Sequence, residues 1–513
     1  MKQLSHLPSR ISLVAALVAA LACTPAWAVD SGSTGADGAL NPTVNTEIVL
    51  PASGILNYTT VNIPVGVTVK FKPNAANTPV YLLASGDVTI AGTIDVNGQD
   101  AAATGTDGDG NQGDDGVPGL GGPGGFAGGR GGRDDAASRP AIIRGGAGLG
   151  PGGGIGGIEG GNSCTATGYY HYVGAGGAYG ANAYQYYAVG NCGASVSHAN
   201  AYGSTLLQPL VGGSGGGGGV GGTNYPGSGG GGGGGAILIA ASGTLKITGS
   251  VTAIGGDGGG LAGTGVGGRG AGGSGGAIRL LASNVTGNGT LYAVGGCINV
   301  NGSRRQSCGS DGGYNQYGGS IGRIRIEGDA ISYTGTNSPT YVRGDVGPVF
   351  IAGAPTLRIA SVAGQAVPAV PTGSNDVTLP ATTTDPVSIT FETANVPVGN
   401  TVQLRVVPAY GTTSEAISPA ITGSTAAGTA ALSIVLPQGP STLQATTTYT
   451  VIVASMEDRT LIEKLSRLAQ NERVEKVEVT VALQGGARAR LITDSGKTFE
   501  MPYEALSAVG FKG

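Results

Sequence analysis

The sequence predicts an all-β protein in which a short parallel β-solenoid with glycine-rich insertions precedes an immunoglobulin-like sandwich and a small α+β module. Three observations support this fold class. Glycine-rich blocks alternate with short apolar strands between residues 211 and 296. The strand block Ala236–Gly243 returns as Ala277–Ser283, and Gly249–Gly256 returns as Gly289–Gly296. Within each block apolar and polar residues alternate, as in strands with one buried face, and a repeat of this length indicates a stacked array.

The first element, residues 1–28, has the features of a secretory signal peptide. A positively charged start and an apolar stretch lead to an A-x-A cleavage site that ends at Ala28. A lipoprotein signal through Cys23 is the alternative, although its lipobox is poor. No later stretch reaches the ~18 apolar residues of a membrane helix. We therefore expect a secreted bacterial protein, at the cell surface or extracellular, without a transmembrane segment in the mature chain.

The solenoid is expected over residues 29–343, with a long insertion at 99–235. Val80–Gly98 aligns without a gap on Ile237–Gly255, so the repeat begins before the insertion. Gly322–Gly335 keeps only the first strand of the repeat, as a terminal unit would. The solenoid is therefore predicted to be short.

The glycine arms of the insertion have two interpretations. Gly-Ser-rich sequences behave as mobile linkers in many proteins. Extended helices with three residues per turn can also lie side by side and satisfy one another's backbone groups, and only glycine lets them approach closely enough. Gly-Gly pairs recur about every third residue in Gly119–Arg133, which favours packed polyglycine helices.

Two similarities follow from these motifs. GGPGGFAGGRGG, GGSGGGGG and GGGGGGGAILIAASGTLKITGSVTAIGGDGG resemble a group of secreted glycine-rich bacterial β-helix proteins of unknown function. The resemblance covers residues 46–335 and implies fold and export, without an activity. In composition the glycine arms also resemble the polyglycine-helix arrays of some bacteriophage adhesins.

Residues 344–375 are predicted to be a Pro/Ala-rich linker. Residues 376–456 hold at least five strand-like runs separated by turns, the pattern of an immunoglobulin-like sandwich. A rise in charged residues then predicts a separate α+β module at 457–513, whose first helix places Leu461, Leu465 and Leu468 on one face. Such a module is marginal for a core of its own, so it is expected to pack on the sandwich or on a partner.

The cysteines predict disulfide bonds. An even number remains after the expected cleavage, and exported chains oxidise such cysteines: Cys164, Cys192, Cys297 and Cys308. Of three pairings we favour Cys164–Cys192 with Cys297–Cys308, because each bond closes a local loop. No C-x-x-C pair is present, so zinc is not expected.

A short acidic stretch is the candidate metal site. Oxygen-bearing side chains at nearly alternate positions resemble the start of a calcium-binding loop, although no glutamate closes an EF-hand frame. A plain Asp/Gly turn is the alternative interpretation. The candidate ligands are Asp107, Asp109, Asn111, Asp114 and Asp115. Calcium is the one candidate cofactor.

A tyrosine-rich loop between Cys164 and Cys192 is the candidate ligand-binding site. Tyrosine gives rigid amphipathic contact area, which suits recognition of a glycan or another surface polymer. Packing of the rings over the glycine arms is the alternative. The tyrosines are Tyr169, Tyr170, Tyr172, Tyr179, Tyr184, Tyr186 and Tyr187.

The charged residues of the repeats do not form a catalytic pattern. Glycoside chemistry needs paired carboxylates, or a base with a basic partner. The charges lie on different repeats and are expected to face solvent: Asp87, Asp95, Lys246, Arg279, Arg323, Arg325 and Glu327. Charged residues are only 11% of the chain and its net charge is −4, so a nucleic-acid partner is not expected.

These observations predict a non-enzymatic surface or extracellular-matrix protein with an adhesive or structural role. Self-association is a further expectation. Two alternatives stay open. One is a carbohydrate-active lyase or hydrolase built on the solenoid. The other is an ice-binding protein that uses a flat, threonine-containing face of the repeats.

Overall fold

The computed structural model is mostly β-strand, with parallel and antiparallel sheets and two short helices. It describes residues 29–74, 77–102, 116–132, 145–157, 173–183, 199–221, 226–260, 268–297, 299–300, 303–304, 318–350, 353–368, 376–408, 413–439, 441–453, 456–483 and 486–512.

Within its described residues, the first part of the chain holds eighteen strands. They are β1 (Ala39–Leu40), β2 (Thr46–Val49), β3 (Ile55–Tyr58), β4 (Thr60–Ile63), β5 (Thr68–Lys72), β6 (Val80–Ala84), β7 (Val88–Ile90), β8 (Thr93–Asp95), β9 (Ala236–Ile247), β10 (Ser250–Thr252), β11 (Ala277–Gly287), β12 (Thr290–Tyr292), β13 (Asn299–Val300), β14 (Ser303–Arg304), β15 (Arg323–Glu327), β16 (Ala330–Tyr333), β17 (Thr336–Ser338) and β18 (Val342–Gly344).

These strands form two parallel sheets and one small antiparallel pair, β13–β14. The larger sheet has the order β1-β4-β7-β9-β11-β15-β18. The pair β3–β6 joins it at β9, and β16 joins it at β11. The smaller sheet has the order β17-β12-β10-β8-β5-β2. Strands that are far apart in the chain are therefore neighbours, because each repeat adds its strands beside those of the previous one.

The strand register confirms the sequence repeat. Val80 pairs with Ile237, and Ile237 pairs with Ile278, as the ungapped alignment predicts. The expectation that the last repeat keeps only its first strand is wrong. After β15, β16 pairs with β11 and β17 pairs with β12, so this repeat supplies all three strands although its sequence has diverged.

Alternation along each strand divides the apolar residues between two cores. Ile278 and Leu280 point to the interior between the two parallel sheets, where they pack with the equivalent residues of the other repeats. Ala277 and Leu281 point to the opposite side and pack against residues of the insertion, such as Phe126. One outer face of the larger sheet is therefore covered by the insertion and buried.

The glycine-rich segments pack as hydrogen-bonded neighbours that we call the glycine array (residues 116–132, 145–157, 173–183, 210–221, 226–235, 254–260, 268–276, 293–297 and 318–322). Its hydrogen bonds recur every third residue. Gly213, Gly216 and Gly219 donate to Gly234, Gly231 and Ser228 in turn, so these two segments run antiparallel. The described parts of the glycine arms are thus packed against one another, as the second interpretation of the sequence expects.

Residues 226–235 show how complete this packing is. Their N–H groups donate to segments around residues 126–132, 268–274 and 96–99. Their carbonyls accept from segments around 119–122, 213–219 and 256–259. One segment is therefore surrounded by six others, and its backbone groups are satisfied without a regular sheet.

The second part of the chain holds eleven strands and both described helices. They are β19 (Thr356–Val362), β20 (Gln365–Ala366), β21 (Val387–Ala394), β22 (Val402–Pro408), β23 (Ser414–Ile417), β24 (Thr422–Gly423), β25 (Gly428–Ile434), β26 (Ser441–Ile452), α1 (Arg459–Leu468), β27 (Val474–Ala482), β28 (Gly486–Thr493), β29 (Thr498–Pro502) and α2 (Tyr503–Ala508). Two antiparallel sheets have the orders β20-β19-β21-β25-β24 and β23-β22-β26-β27-β28-β29.

The domain boundary predicted between residues 456 and 457 falls within one sheet. Strand β27 pairs with β26 from Thr446↔Ala482 to Ile452↔Lys476. Residues from both sides of the predicted boundary share one buried core, including Phe391, Leu465 and Val479. The predicted linker 344–375 also contributes β19 to the five-stranded sheet. Residues 457–513 therefore extend the sheet that contains β22 and β26.

The first helix forms as the sequence pattern predicts. Asp458 caps its N-terminus, because its side chain accepts a hydrogen bond from the Leu461 N–H at 3.0 Å. Leu465 is fully buried, while Leu461 and Leu468 are partly buried against the same core. The leucine face holds the helix on the sheet.

Candidate functional site

The predicted tyrosine-rich loop is divided by described residues 173–183, which belong to the glycine array. Tyr179 lies there and is only 1% exposed. Its ring lies 4.8 Å from the ring of Tyr202, and the Arg323 guanidinium lies 5.6 Å from its centroid. Burial raises the pKa of the Tyr179 hydroxyl, and the nearby Arg323 charge opposes this only in part. The prediction that Tyr179 is a displayed ligand contact is therefore wrong, because this side chain packs in the interior.

The other predicted site residues lie mostly outside the described residues. This is so for six tyrosines, for all five candidate calcium ligands and for three of the four cysteines: Tyr169, Tyr170, Tyr172, Tyr184, Tyr186, Tyr187, Asp107, Asp109, Asn111, Asp114, Asp115, Cys164, Cys192 and Cys308. Cys297 is disulfide-bonded. Its pairing with Cys308 stays a prediction. Within the described ranges no group of three His, Cys, Asp or Glu side chains could hold a metal ion.

Three charges expected to face solvent instead form a buried cluster. Strands β11 and β15 are neighbours in register, which places Arg279 beside Arg325 and Leu281 beside Glu327. The Glu327 carboxylate accepts two hydrogen bonds from Arg279, at 3.0 Å and 2.9 Å, and one from Arg325 at 2.5 Å. Arg279 and Glu327 are each 1% exposed. The expectation of solvent exposure is wrong for these residues because residues after β18 cover them.

This cluster also holds the covering segment. The Gly347 N–H donates to Glu327 Oε2 at 3.0 Å, and Arg279 Nη2 donates to the Pro348 carbonyl at 3.0 Å. Burial alone would raise the pKa of Glu327, but the hydrogen bonds and charge of Arg279, with hydrogen bonds from Arg325 and the Gly347 N–H, hold it below its ordinary value. A buried carboxylate that stays ionised beside two guanidinium groups is unsuited to general acid catalysis. The arrangement ties segment 344–350 to the strands.

Sequence reasoning missed this cluster although the repeat alignment contains the signal. Arg279 occupies the register position of Leu238 in the neighbouring repeat, and Glu327 occupies that of Leu281. A charged residue at a position that is apolar in the neighbouring repeat marks a buried outer face. Aligning the repeats column by column would have placed the three charges together.

The two remaining carboxylates of the predicted set have structural partners. Asp87 accepts a hydrogen bond from the Thr244 N–H at 2.7 Å. Asp95 lies 3.3 Å from the Lys70 ammonium and accepts from the Asn97 N–H. Each therefore stabilises the junction between neighbouring repeats.

The residues that flank several segments of the chain lie together at one end of the glycine array. We call this end the distal end. Lateral hydrogen bonds join Gly132 to Gly219, Gly157 to Gly218, and Ser228 to Gly268. These and neighbouring residues flank 103–115, 133–144, 158–172, 222–225 and 261–267. The segment that begins at Gly227 enters β9 only after Gly235. Six segments, with 298–317, thus have their flanking residues at this end of the array, and 298–317 includes the β13–β14 pair.

Segment 184–198 differs from these six. Its flanking residues Ala183 and Ala199 are joined by a hydrogen bond of 3.1 Å. Gly180 donates to the Ile321 carbonyl close to the start of β15, so this segment leaves the array near the strands. The two halves of the predicted tyrosine-rich loop therefore begin at opposite ends of the array.

The smaller parallel sheet presents an ordered polar surface that we call the hydroxyl face. Its first row has one hydroxyl per repeat in strict register: Thr68, Thr93, Ser250, Thr290 and Thr336. Its second row, two residues further along each strand, consists of Lys70, Asp95, Thr252, Tyr292 and Ser338. Neighbouring repeats are about 4.8 Å apart. Both rows are half-buried or exposed.

Comparison with protein-family models, curated proteins and solved structures finds no match for this chain. Among the described residues no helix is long and apolar enough to cross a membrane. The function must therefore be argued from the arrangement of this chain's own residues.

Proposed function

We propose that this chain is an exported, non-enzymatic surface or extracellular-matrix protein that displays loops at the distal end of its glycine array. The observation that carries the proposal is the convergence of the residues flanking six loop segments at that end. In this proposal the parallel strands are a short β-solenoid of the secreted glycine-rich β-helix type. The array consists of packed polyglycine helices, and the second part is an immunoglobulin-like sandwich that spaces or attaches the molecule.

The packing of the array supports a display role. A loop on a rigid base loses less conformational entropy on binding than one on a mobile linker. Lateral hydrogen bonds to six neighbours give residues 226–235 such rigidity. Weak single contacts would gain avidity where many copies are exposed on one surface.

The proposed ligand is a glycan or another surface polymer, and the distal tyrosines are the proposed contacts. Tyr169, Tyr170 and Tyr172 belong to the segment whose flanking residues lie at the distal end. Aromatic rings suit contact with the apolar faces of sugars at low entropic cost. Calcium binding at 107–115 and the pairing of Cys164 with Cys192 would stabilise this end, and both remain predictions.

Attachment of purified protein to cells, extracted matrix and glycan arrays tests the proposal. Replacing Tyr169, Tyr170 and Tyr172 by alanine should lower attachment at least about tenfold, since each aromatic contact contributes about 1 kcal/mol. The matched control replaces Tyr184, Tyr186 and Tyr187, which belong to the segment beside the strands, and should retain attachment. Loss in the control set alone, or unchanged attachment in both folded variants, would refute distal display.

Ice binding is a second candidate, and the hydroxyl face favours it. A regular lattice of water molecules is best matched by side chains that are themselves regularly spaced, and strand pairing fixes one hydroxyl every ~4.8 Å along the first row. Thermal hysteresis would then be measurable, and Thr290→Lys should abolish it by disrupting the row. Thr286→Lys changes a half-buried threonine of the larger sheet in the same repeat and should keep the activity. Absence of hysteresis in the wild type removes this candidate.

A further inference from the structure

The residues before β1 lie across the parallel strands in a groove with a repeated structure. Three successive repeats turn from their first strand with an Ala-Ser pair, and these pairs are in register because Ala84, Ala241 and Ala282 are paired neighbours. Their following residues Ser85, Ser242 and Ser283 therefore form a row along the stack. We call this row, with the adjoining strand ends, the serine groove.

Residues 29–35, which we call the strap, lie along this groove. Their burial alternates: Val29 and Ser31 are buried, Asp30 and Gly32 are exposed, and Ser33 is half-buried. Gly32, between the two serines, has a φ of +73°, which glycine adopts readily, so the strap is not a regular strand.

Each inward residue of the strap bonds to a different repeat. The Val29 N–H donates to Ser283 Oγ at 3.2 Å, and the Ser31 N–H donates to Ser242 Oγ at 3.1 Å. The Ser31 hydroxyl donates to the Ala84 carbonyl at 2.7 Å and accepts from Ser242 Oγ at 3.0 Å.

The strap continues in the same way at the next repeat. The Ser33 hydroxyl donates to the Tyr58 carbonyl at 2.7 Å. The Tyr58 carbonyl also accepts from the Ser85 N–H at 3.1 Å, so the strap hydroxyl adds a second hydrogen bond to this acceptor. The groove therefore offers hydroxyl groups and strand-end carbonyls as hydrogen-bond partners for a docked segment.

We propose that the serine groove is a binding site for a short peptide segment that places small hydroxyl side chains at alternate positions in the groove and the residues between them in solvent, and that residues 29–35 fill it in cis. Terminal segments are poorly ordered unless they are tied down, so a docked strap behaves as a tethered ligand. With the expected cleavage after Ala28, the strap is the start of the mature chain. Its docking would connect four repeats after export. This site is independent of the proposed display of loops.

A charge substitution in the full chain tests the site. Ser31→Asp with Ser33→Asp places two carboxylates in the groove and should release the strap, because unpaired buried charges are strongly disfavoured. The released groove should then bind a synthetic peptide of sequence Val-Asp-Ser-Gly-Ser-Thr-Gly saturably. A peptide with both serines replaced by alanine should bind at least about tenfold more weakly.

The matched control carries the same charge at exposed positions of the same region, Thr34→Asp with Ala36→Asp. It should keep its strap docked and bind no peptide. Equal peptide binding by both variants, or none by a folded Ser31→Asp, Ser33→Asp variant, would overturn the proposal.

A cross-link provides the test if the charged variant does not fold. Ser31→Cys with Ser242→Cys joins positions whose hydroxyl oxygens are 3.0 Å apart. Oxidation should give a linked peptide pair within one chain, found by mass spectrometry after digestion. A covalent dimer through these positions would show that a second copy fills the groove and would contradict filling in cis. Free thiols at both positions would contradict docking itself.

Discussion

Glu327 shows how a single carboxylate can be held ionised inside this protein. It is 1% exposed, yet two guanidinium groups and the Gly347 N–H satisfy its oxygens. Breaking a buried ion pair by removing one partner costs more than the pair contributes, because the other charge stays buried without compensation. The cluster is therefore sensitive to changes at its centre.

We expect Glu327→Gln to destabilise the first part of the chain by about 3–5 kcal/mol, because Arg279 and Arg325 would keep their charges without a counter-ion. Denaturant unfolding followed by circular dichroism measures this change. Glu392→Gln is the matched control, since the Arg358–Glu392 pair is about half exposed and such pairs contribute at most about 1 kcal/mol. Equal effects of the two substitutions would contradict a buried network.

The same carboxylate predicts a dependence on pH. Its pKa in the folded protein is lowered from the ordinary value of 4.5, so its ionised form is stabilised by folding. This contribution is complete above pH 4.5 and is lost as the pH falls through the folded pKa. The stability difference between wild type and Glu327→Gln should therefore shrink between pH 7 and about pH 3.5. A difference that is constant over this range would mean that Glu327 does not titrate in this way.

At the residue scale, the sequence predicts which residues form strands better than it predicts whether each side chain is buried or exposed. The alternation in Ala277–Ser283 shows which side chains share a face, and the register confirms the repeat. It cannot show that the insertion and segment 344–350 cover the outer face, because that depends on contacts between distant parts of the chain. For this reason the sequence predicts Arg279 and Tyr179 at the surface, whereas both are buried in the structure.

Among the structural elements, the glycine segments depend most on the fact that glycine has no side chain. Each segment of the array approaches its neighbours closely enough for backbone hydrogen bonds on several sides. A Cβ on Gly231 would overlap the carbonyl oxygen of Gly256, and this neighbour is backbone that cannot rotate away. The three-residue spacing of the glycine pairs in the sequence predicts packed polyglycine helices. The six neighbours of one segment follow only from the order in which the arms fold back.

We predict that Gly231→Ala destabilises the array by about 1–3 kcal/mol or more through overpacking. Gly146→Ala lies in the same array, and its Cβ would be 3.1 Å from the nearest atom, the Arg130 backbone nitrogen, so it is less crowded than a Cβ at Gly231 and should destabilise less. Melting temperatures of the two variants measure the difference. Equal melting temperatures would indicate that the packing around Gly231 leaves room for a Cβ.

At the scale of the whole molecule, the buried cores fall into two groups along the chain. One set of cores, with its covering insertion, belongs to residues 29–350, and the other spans 357–511. Composition failed to predict the second unit because the rise in charge at residue 457 comes from outward-facing residues, such as Glu478 and Arg490 on paired strands. The inward residues Val477, Val479 and Leu491 are fully buried in the core that they share with residues of β19, β21 and β22.

Calorimetry of the full chain should therefore show two cooperative units instead of three. Removing residues 457–513 takes away β27, exposes the hydrogen-bonding edge of β26 and deletes Leu465 and Val479 from the shared core. We expect the transition of the second unit to disappear from this truncated chain, because what remains loses both sheet pairing and buried apolar area. The transition of residues 29–350 should persist and serves as the internal control. If the unfolding transition of the second unit were retained at its original temperature in the truncated chain, residues 457–513 would be an independent module.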